Sequence, residues 1–247
     1  MSVLQLESLF CAFGSLVVTK NVNLSIMPGE RHCIIGPNGA GKTSLINQIG
    51  GQLRPNAGRI LLDGKDITGW PPNRIAQAGV ARTFQRNNLF FNLSVLENLR
   101  LAVAARHAMP WNFWTAAERI EPTVRLAETL LARVHIAGDP QRLVRSLSYG
   151  EQRQLEIGVA LAGDPMLLLL DEPTSGMSPA ETERMMALIA SLPRTLAVLM
   201  IEHDMNVVFT VADRITVLYY GEVLASGAPD AIRTESRVRE VYLGTAH

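Results

Sequence analysis

The sequence contains little cysteine, with Cys11 and Cys33 as its two in 247 residues. They form no CxxC pair and no Cys/His cluster with metal-ligand spacing, so the pattern predicts neither a zinc site nor a disulfide framework. Cys33 lies in an apolar run, and we expect it to be a small buried residue of the core. This cysteine usage favours a reducing, cytoplasmic compartment.

Net charge is also absent, because 23 Lys and Arg residues balance 23 Asp and Glu residues. A nucleic-acid partner is usually marked by an excess of basic residues, so we expect none. Apolar residues make up 47% of the chain and charged residues 19%, which is typical of a globular protein. The length suffices for one large α/β domain with a substantial core.

Long hydrophobic runs are missing as well. The most apolar stretches, residues 166–170 and 196–201, are far shorter than the roughly twenty residues of a membrane-spanning helix. The first residues lack the basic start and apolar run of a signal peptide. The short runs fit buried strands of a parallel sheet, so we expect any membrane role to come through a partner.

The order of patterns along the chain predicts an α/β protein. Strands are predicted at residues 3–7, 17–26, 31–35, 59–62, 167–170, 195–201 and 215–219. Helices are predicted at residues 41–49, 94–105 (with Ser94 and Glu97 as a capping box), 116–132, 150–162, 179–190 and 204–211. The helical middle third suggests a separate lobe, and the final alternation of strands and helices predicts a doubly wound parallel sheet.

A phosphate-binding motif follows the third predicted strand. Its residues match G-x-x-x-x-G-K-[ST] and are Gly36, Pro37, Asn38, Gly39, Ala40, Gly41, Lys42 and Thr43, followed by Ser44. Glycines let backbone N–H groups surround phosphates, and the helix that starts here adds its dipole and free donors. Lys42 supplies a charge for the β- and γ-phosphates, and the Thr43 hydroxyl can bind Mg²⁺. The motif predicts nucleotide binding.

Two carboxylates, Asp171 and Glu172, follow the apolar run at residues 167–170. Ligands of doubly wound folds gather at the carboxyl ends of strands. Beside the phosphate loop, we therefore expect Asp171 to hold Mg²⁺ through water and Glu172 to polarise the attacking water as a general base. Taken alone, such a pair also fits helix capping or simple solvent exposure.

A further segment, Leu-Ser-Tyr-Gly-Glu-Gln at residues 147–152, resembles the signature of the ABC ATPases. In that family the start of the following helix contacts the γ-phosphate bound on the opposite subunit. The resemblance implies such in-trans ATP contacts for Ser148, Tyr149, Gly150 and Glu151. A hydroxyl, a glycine and a helix start suit an anion, and simple helix capping by Ser148 is compatible with that role.

Other residues match this family in order. Phe13 has the position of the aromatic residue that stacks on adenine, where Tyr is more frequent, and Gln85 matches the glutamine that joins the core to the helical lobe and binds Mg²⁺. His203, in Ile-Glu-His-Asp, matches the histidine that contacts the γ-phosphate. Taken alone, each residue also fits a structural role, in the core, in a loop or as a helix cap.

The sequence departs from the family pattern at three positions. Tyr149 stands where Gly is most frequent, Glu151 where Gln is, and Ser178 where an Asp usually helps to join the two subunits. These positions bear on contact between subunits and leave the phosphate loop intact.

The resemblance implies one ABC ATPase domain over residues 1–247. Its P-loop NTPase core, a doubly wound and mainly parallel sheet with an N-terminal antiparallel β subdomain, would comprise about residues 1–85 and 150–247. The helical subdomain would comprise about residues 86–149.

Within the family, the sequence is similar to the ATPases of branched-chain amino-acid importers. The segments that carry this similarity are residues 79–85, 88–90, 93–98, 201–205 and 238–244. ATPases of urea or short-amide importers and of lipopolysaccharide export are also similar. An iron–sulfur assembly ATPase fits the length, although the importer segments argue against it. A small-molecule P-loop kinase would lack the signature segment.

The resemblance also implies partners. The chain would bind ATP with Mg²⁺, pair with an identical or a sister ATPase, and dock on integral membrane permease subunits. A periplasmic solute-binding protein would complete the importer indirectly. We therefore expect a peripheral protein at the cytoplasmic face of the inner membrane.

Overall fold

The computed structural model describes residues 1–83, 89–106 and 116–243. The chain divides into two compact units. The first comprises Met1–Arg82, Met166–Pro173 and Pro193–His247, and the second comprises Thr83–Pro165 and Thr174–Leu192. The expected split at residues 86 and 150 stays a prediction.

The described strands all lie in the first unit. In chain order they are β1 (Leu4–Phe13), β2 (Leu16–Ile26), β3 (Arg31–Ile35), β4 (Ala57–Leu62), β5 (Lys65–Asp66), β6 (Val80–Arg82), β7 (Leu167–Asp171), β8 (Ala197–Ile201), β9 (Arg214–Tyr219) and β10 (Glu222–Gly227).

Each described helix lies in one of the two units. The first unit contains α1 (Lys42–Ile49), α2 (Pro72–Gln77), α7 (Met205–Val211), α8 (Pro229–Thr234) and α9 (Ser236–Leu243). The second contains α3 (Val95–Arg106), α4 (Ala116–Arg133), α5 (Tyr149–Leu161) and α6 (Pro179–Ser191). No described helix combines the length and the apolar character needed to cross a bilayer.

The larger sheet has the described strands in the order β10-β9-β3-β8-β7-β6. Neighbouring strands are parallel except β9 and β10, which form an antiparallel pair. Every residue of β3, β7 and β8 is buried. The near-continuous apolar runs of β7 and β8 suit strands that are covered on both faces. The predicted α/β class with a mainly parallel sheet is confirmed.

The register of the three central strands aligns their carboxyl ends. Ile34 of β3 and Asp171 of β7 both pair with Ile201 of β8. The loops that leave these strands therefore start level with one another, at the edge where doubly wound sheets gather ligands.

The smaller sheet is antiparallel, in the order β2-β1-β4-β5. Its buried residues share one apolar core with α1 and with the larger sheet. β1 runs to Phe13, well past the predicted end at residue 7. The predicted strand ended too early because a register shift between Leu6 and Leu9 breaks the alternating pattern. Ser8 lies in this bulge with φ 46°.

In the second unit, α3, α4 and α5 pack closely around Gly158. A Cβ at this glycine of α5 would lie 2.9 Å from Leu99 of α3 and 3.0 Å from Val134, which follows α4. The capping box predicted before α3 is half wrong. Ser94 accepts the N–H of Glu97 at 3.1 Å, but the Glu97 carboxylate accepts from Arg100 instead.

Ser178 caps the start of α6 through a complete capping box with Glu181. We expect Ser178→Ala to lower the free energy of unfolding by about 1 kcal/mol, because N–H groups at the helix start lose their acceptor. Ser178→Thr keeps a hydroxyl and should cost less. Urea unfolding of both variants checks this, and equal losses would contradict it.

Candidate nucleotide-binding and catalytic site

The phosphate loop lies between the buried end of β3 and the start of α1. Gly41 is the N-cap of α1, with φ 100°, and no side chain caps this helix. The N–H groups of the first helical turn therefore keep their capacity to bind an anion. The loop that the sequence predicted is in the predicted strand–loop–helix context.

Close backbone approach explains why two of the loop residues are glycines. A Cβ at Gly36 would lie 2.3 Å from the carbonyl oxygen of Leu218, and one at Gly41 would lie 2.1 Å from that of Val18. Both positions also have positive φ. Any side chain there would collide with neighbouring backbone, so the loop keeps its shape only with glycine.

The ammonium group of Lys42 is folded onto the loop itself. Its Nζ donates hydrogen bonds to the carbonyl oxygens of Gly36 at 2.6 Å and Pro37 at 3.0 Å. Burial lowers the pKa of Lys42, although the nearby carboxylates of Glu172 and Asp171 act in the opposite direction. The charge is thus held at the centre of the loop, beside the two acidic residues.

A cleft of about 320 Å³ opens over the loop. It is lined by Leu16, Val17, Val18, Asn38, Gly39, Ala40, Gly41, Lys42, Thr43, Ser44 and Glu172. Phe13 ends β1 and pairs with Leu16 of β2, and its side chain is 55% exposed. An exposed aromatic ring beside an apolar cleft wall suits stacking on a flat base and does not fit the core role.

The two acidic residues leave β7 side by side but in different settings. Asp171 is the buried last residue of the strand, whereas Glu172 is partly exposed and lines the cleft. Glu172 has φ 48°, and its N–H donates to the carbonyl oxygen of Ile201 at 3.0 Å. Such strained backbone is found at functional sites, where the surrounding structure holds it.

Arg82 holds Asp171 and is a site residue that the sequence reasoning missed. Its guanidinium donates to Asp171 Oδ2 at 3.3 Å, to Asn47 Oδ1 at 2.7 Å and to Gln52 Oε1 at 3.0 Å. Burial lowers the pKa of Arg82. The sequence does not predict the strand that ends at Arg82, so the pairing of β6 with β7 was needed to reveal its partner.

His203 lies close to Glu172 but points into solvent. Its Nδ1 is 3.8 Å from Glu172 Oε1, and its side chain is 61% exposed. Its backbone N–H donates to the fully buried carboxylate of Glu202 at 3.0 Å. The loop after β8 is therefore anchored, while the imidazole can reach a ligand in front of Glu172.

The residues at this edge fit a Mg²⁺ ion. Asp171 Oδ1 is buried and has no hydrogen-bond partner among the described residues, and the exposed Thr43 opens on the cleft. The described residues contain no cluster of three or more His, Cys, Asp or Glu for a metal, so phosphate and water oxygens would complete the set. Gln85, the other expected ligand, lies outside the described residues.

The signature segment begins α5 in the second unit. Ser148 is the N-cap: its hydroxyl accepts the N–H of Glu151 at 3.3 Å, and Glu151 Oε2 accepts the N–H of Ser148 at 2.8 Å. Glu151 also pairs with Arg142 at 2.5 Å. Tyr149 is 41% exposed, and its hydroxyl accepts from Arg153 at 3.1 Å. The capping role of Ser148 is therefore real, and the in-trans role stays a prediction.

Two family models match the sequence. The model described as ABC transporter matches residues 19–175, and the model described as branched-chain amino acid ATP-binding cassette transporter matches residues 222–247. The chain is 38% identical over 254 aligned positions to the high-affinity branched-chain amino acid transport ATP-binding protein LivG of Escherichia coli K12. That alignment covers 99% of this chain and 98% of LivG.

Solved structures agree with these matches. A nucleotide-free ATP-binding cassette from an ABC transporter is 29% identical, with a TM-score of 0.84, and the match covers 99% of this chain and 100% of that one. A dimeric cassette in a post-hydrolysis state, bound to ADP and phosphate, is 26% identical with a TM-score of 0.75. That match covers 92% of this chain and 98% of the other.

Two of the three positive-φ glycines of the loop, Gly39 and Gly41, give a matched pair of variants. A Cβ at Gly41 meets a backbone oxygen at 2.1 Å, whereas one at Gly39, with φ 80°, meets nothing within 4 Å. We expect Gly39→Ala to cost about 1 to 2 kcal/mol of unfolding free energy through backbone strain. Gly41→Ala should cost at least about 3 kcal/mol, because overpacking adds to the strain.

Urea unfolding of the two nucleotide-free variants checks this difference. Equal losses in both proteins would show that the contact with Val18 does not constrain the loop.

Proposed function

The chain belongs to the ABC transporter family, and we propose that it is the ATP-hydrolysing subunit of a branched-chain amino-acid importer. Members of this family couple ATP hydrolysis to transport. The observation that carries the solute class is the match of residues 222–247 to the branched-chain amino-acid cassette family, together with 38% identity to LivG along nearly the whole chain.

We propose that ATP binds in the cleft over the phosphate loop. The ring of Phe13 would stack on adenine, while the loop N–H groups and the free start of α1 would surround the phosphates. Lys42 would exchange the carbonyl oxygens of Gly36 and Pro37 for the β- and γ-phosphates. The exchange costs little, because the ammonium is already placed at the loop centre.

The chemistry assigned to the edge of the sheet is attack of water on the γ-phosphate. Glu172 would accept a proton from that water as the general base. His203 would contact the γ-phosphate, and Asp171, held by Arg82, would orient the metal through water. Thr43 and Gln85, together with phosphate oxygens, would hold Mg²⁺, which would supply positive charge that offsets the charge of the transferred group.

We propose that hydrolysis requires two such chains arranged head to tail. Ser148, Tyr149, Gly150 and Glu151 of one chain would meet the ATP held by the phosphate loop of the other. The resemblance of residues 147–152 to the ABC signature supports this arrangement, and so does the dimeric state of a structurally similar cassette. ATP would favour the closed dimer because it binds that state better.

The proposed complex also contains membrane partners. No described helix could span a bilayer, so permease subunits would supply the path for the solute. The chain would associate peripherally with them at the cytoplasmic face of the inner membrane, and a periplasmic binding protein would deliver the amino acid. The second ATPase is either an identical chain or a sister chain.

The role of Glu172 can be tested with Glu172→Gln. We expect this variant to bind ATP with nearly unchanged affinity and to lose at least about a hundredfold in turnover, since an amide cannot accept the proton. The closed dimer should then accumulate with ATP, which gel filtration detects. Glutamine has nearly the size of glutamate and places the same demand on the backbone at φ 48°, so we expect the fold to be kept.

Glu183→Gln is the matched control, because Glu183 is an exposed carboxylate on α6. This control should hydrolyse ATP at the normal rate. Near-normal turnover in Glu172→Gln would remove Glu172 from the catalytic role.

The transport assignment can be tested by a detergent pull-down of this protein from its native membranes. We expect mass spectrometry to identify multispanning subunits, an ATPase partner and a periplasmic amino-acid-binding protein. Recovery of soluble proteins alone would contradict transport while leaving the ATPase intact. A lipopolysaccharide-binding or urea-binding partner would contradict the proposed solute.

A further inference from the structure

A single carboxylate, that of Glu181, occupies the starts of two helices in the second unit. Its Oε1 accepts the hydroxyl of Ser148 at 2.9 Å and the N–H of Gly150 at 3.1 Å, both at the start of α5. Its Oε2 accepts the N–H of Ser178 at 3.1 Å and the hydroxyl of Ser178 at 2.8 Å, at the start of α6. The carboxylate therefore has the place and the charge of an anion bound to the signature helix.

The glycine at position 150 allows the side chain of Glu181 to lie close to the start of α5. A Cβ at position 150 would lie 2.8 Å from Cγ and 2.9 Å from Oε1 of Glu181. Gly150 lies within α5 and is not among the residues with positive φ. The helix itself does not need glycine at this position, and the space is filled by Glu181.

The charge of Glu181 is stabilised where it lies. Hydrogen bonds from Ser178, Ser148 and Gly150 lower its pKa to about 2, and the positive end of a helix favours an anion. The residue therefore remains a full carboxylate at neutral pH, directly on the donors of the signature.

Under the proposed function, a second anion binds the same donors. There the Ser148 hydroxyl and the Gly150 N–H bind the γ-phosphate of ATP held by the partner chain. A carboxylate and a phosphate cannot accept the same hydrogens, and their charges repel at this distance.

We propose that Glu181 is an internal competitor for the signature, which must leave Ser148 and Gly150 before ATP on the opposite subunit can bind there. The contact sets a threshold for closure of the dimer, and this inference rests on the proposed function. When the carboxylate leaves, α6 keeps its cap, because the Ser178 hydroxyl still accepts the N–H of Glu181.

The hydroxyl of Ser178 supports this contact. It donates to Glu181 at 2.8 Å, whereas an aspartate at this position would have no proton to donate at neutral pH. Two carboxylates at that distance would repel each other. Serine thus lets Glu181 remain on the signature.

The test compares Glu172→Gln with the double variant Glu172→Gln/Glu181→Gln. Glutamine keeps the capping box of α6 and removes the charge. We expect the double variant to dimerise at an ATP concentration roughly three- to tenfold lower, because a neutral acceptor holds the donors less strongly. The matched control is Glu172→Gln/Glu183→Gln, which removes an exposed charge from the same helix and should behave as the parent.

The outcomes distinguish failure of the inference from failure of the proposed function. An unchanged or higher ATP requirement in the double variant, with a dimerising parent, overturns the competitor role alone. A double variant that dimerises with ATP where the parent stays monomeric supports the competitor role and the proposed sandwich together. If both stay monomeric, the inference fails together with the proposed function.

A measurement on the unmodified protein is independent of any variant. NMR titration of Glu181 without nucleotide should give a pKa near 2. An ordinary glutamate pKa would show that the carboxylate does not occupy the signature, and would overturn the inference.

Discussion

The site depends on one constraint, the parallel register that aligns the ends of β3, β8 and β7. Ile34, Ile201 and Asp171 lie in one row across the sheet, so the phosphate loop, Glu172 and His203 all start within a few residues of that row. A slip of one residue in β7 would turn Asp171 to the opposite face. The four leucines of β7 are buried and hold the strand in the core up to Asp171. Apolar packing along the strand therefore sets the geometry of the polar groups at its end.

The parts of this fold that the sequence predicted are those with strong local patterns. The buried strands β7 and β8 form apolar runs, and the phosphate loop after β3 has the pattern of glycines before a helix. The short elements β5, β6 and α2 carry weak signals and were missed. The elements β10, α8 and α9 were also missed, because their residues are mostly exposed or half-buried and form no strong apolar pattern. The extension of β1 was missed because the bulge at Ser8 breaks the alternation on which strand prediction depends.

The parts of the site that could not be predicted come from contacts between distant segments. Arg82 finds Asp171 because β6 pairs with β7, and Glu181 finds Ser148 because α6 packs beside α5. The positive φ of Glu172 depends on the carbonyl oxygen of Ile201, which lies in another strand. A pattern of residue types does not contain these distances. The resemblance to ABC ATPases could name Glu172 and Ser148, but it could not show what holds either of them.

The two helix starts assigned to phosphate differ in one physical respect. The start of α1 has glycine as its N-cap and no side-chain acceptor, so its N–H groups can donate to ATP phosphates without displacing a side-chain anion. The start of α5 is satisfied by Ser148, Glu151 and Glu181 from the same chain. Nucleotide binding on one chain and closure onto a second chain are then unequal steps, because only the second exchanges an internal anion for a phosphate. An ATPase built in this way can hold ATP while open, and the cost of that exchange separates the loaded state from the closed one.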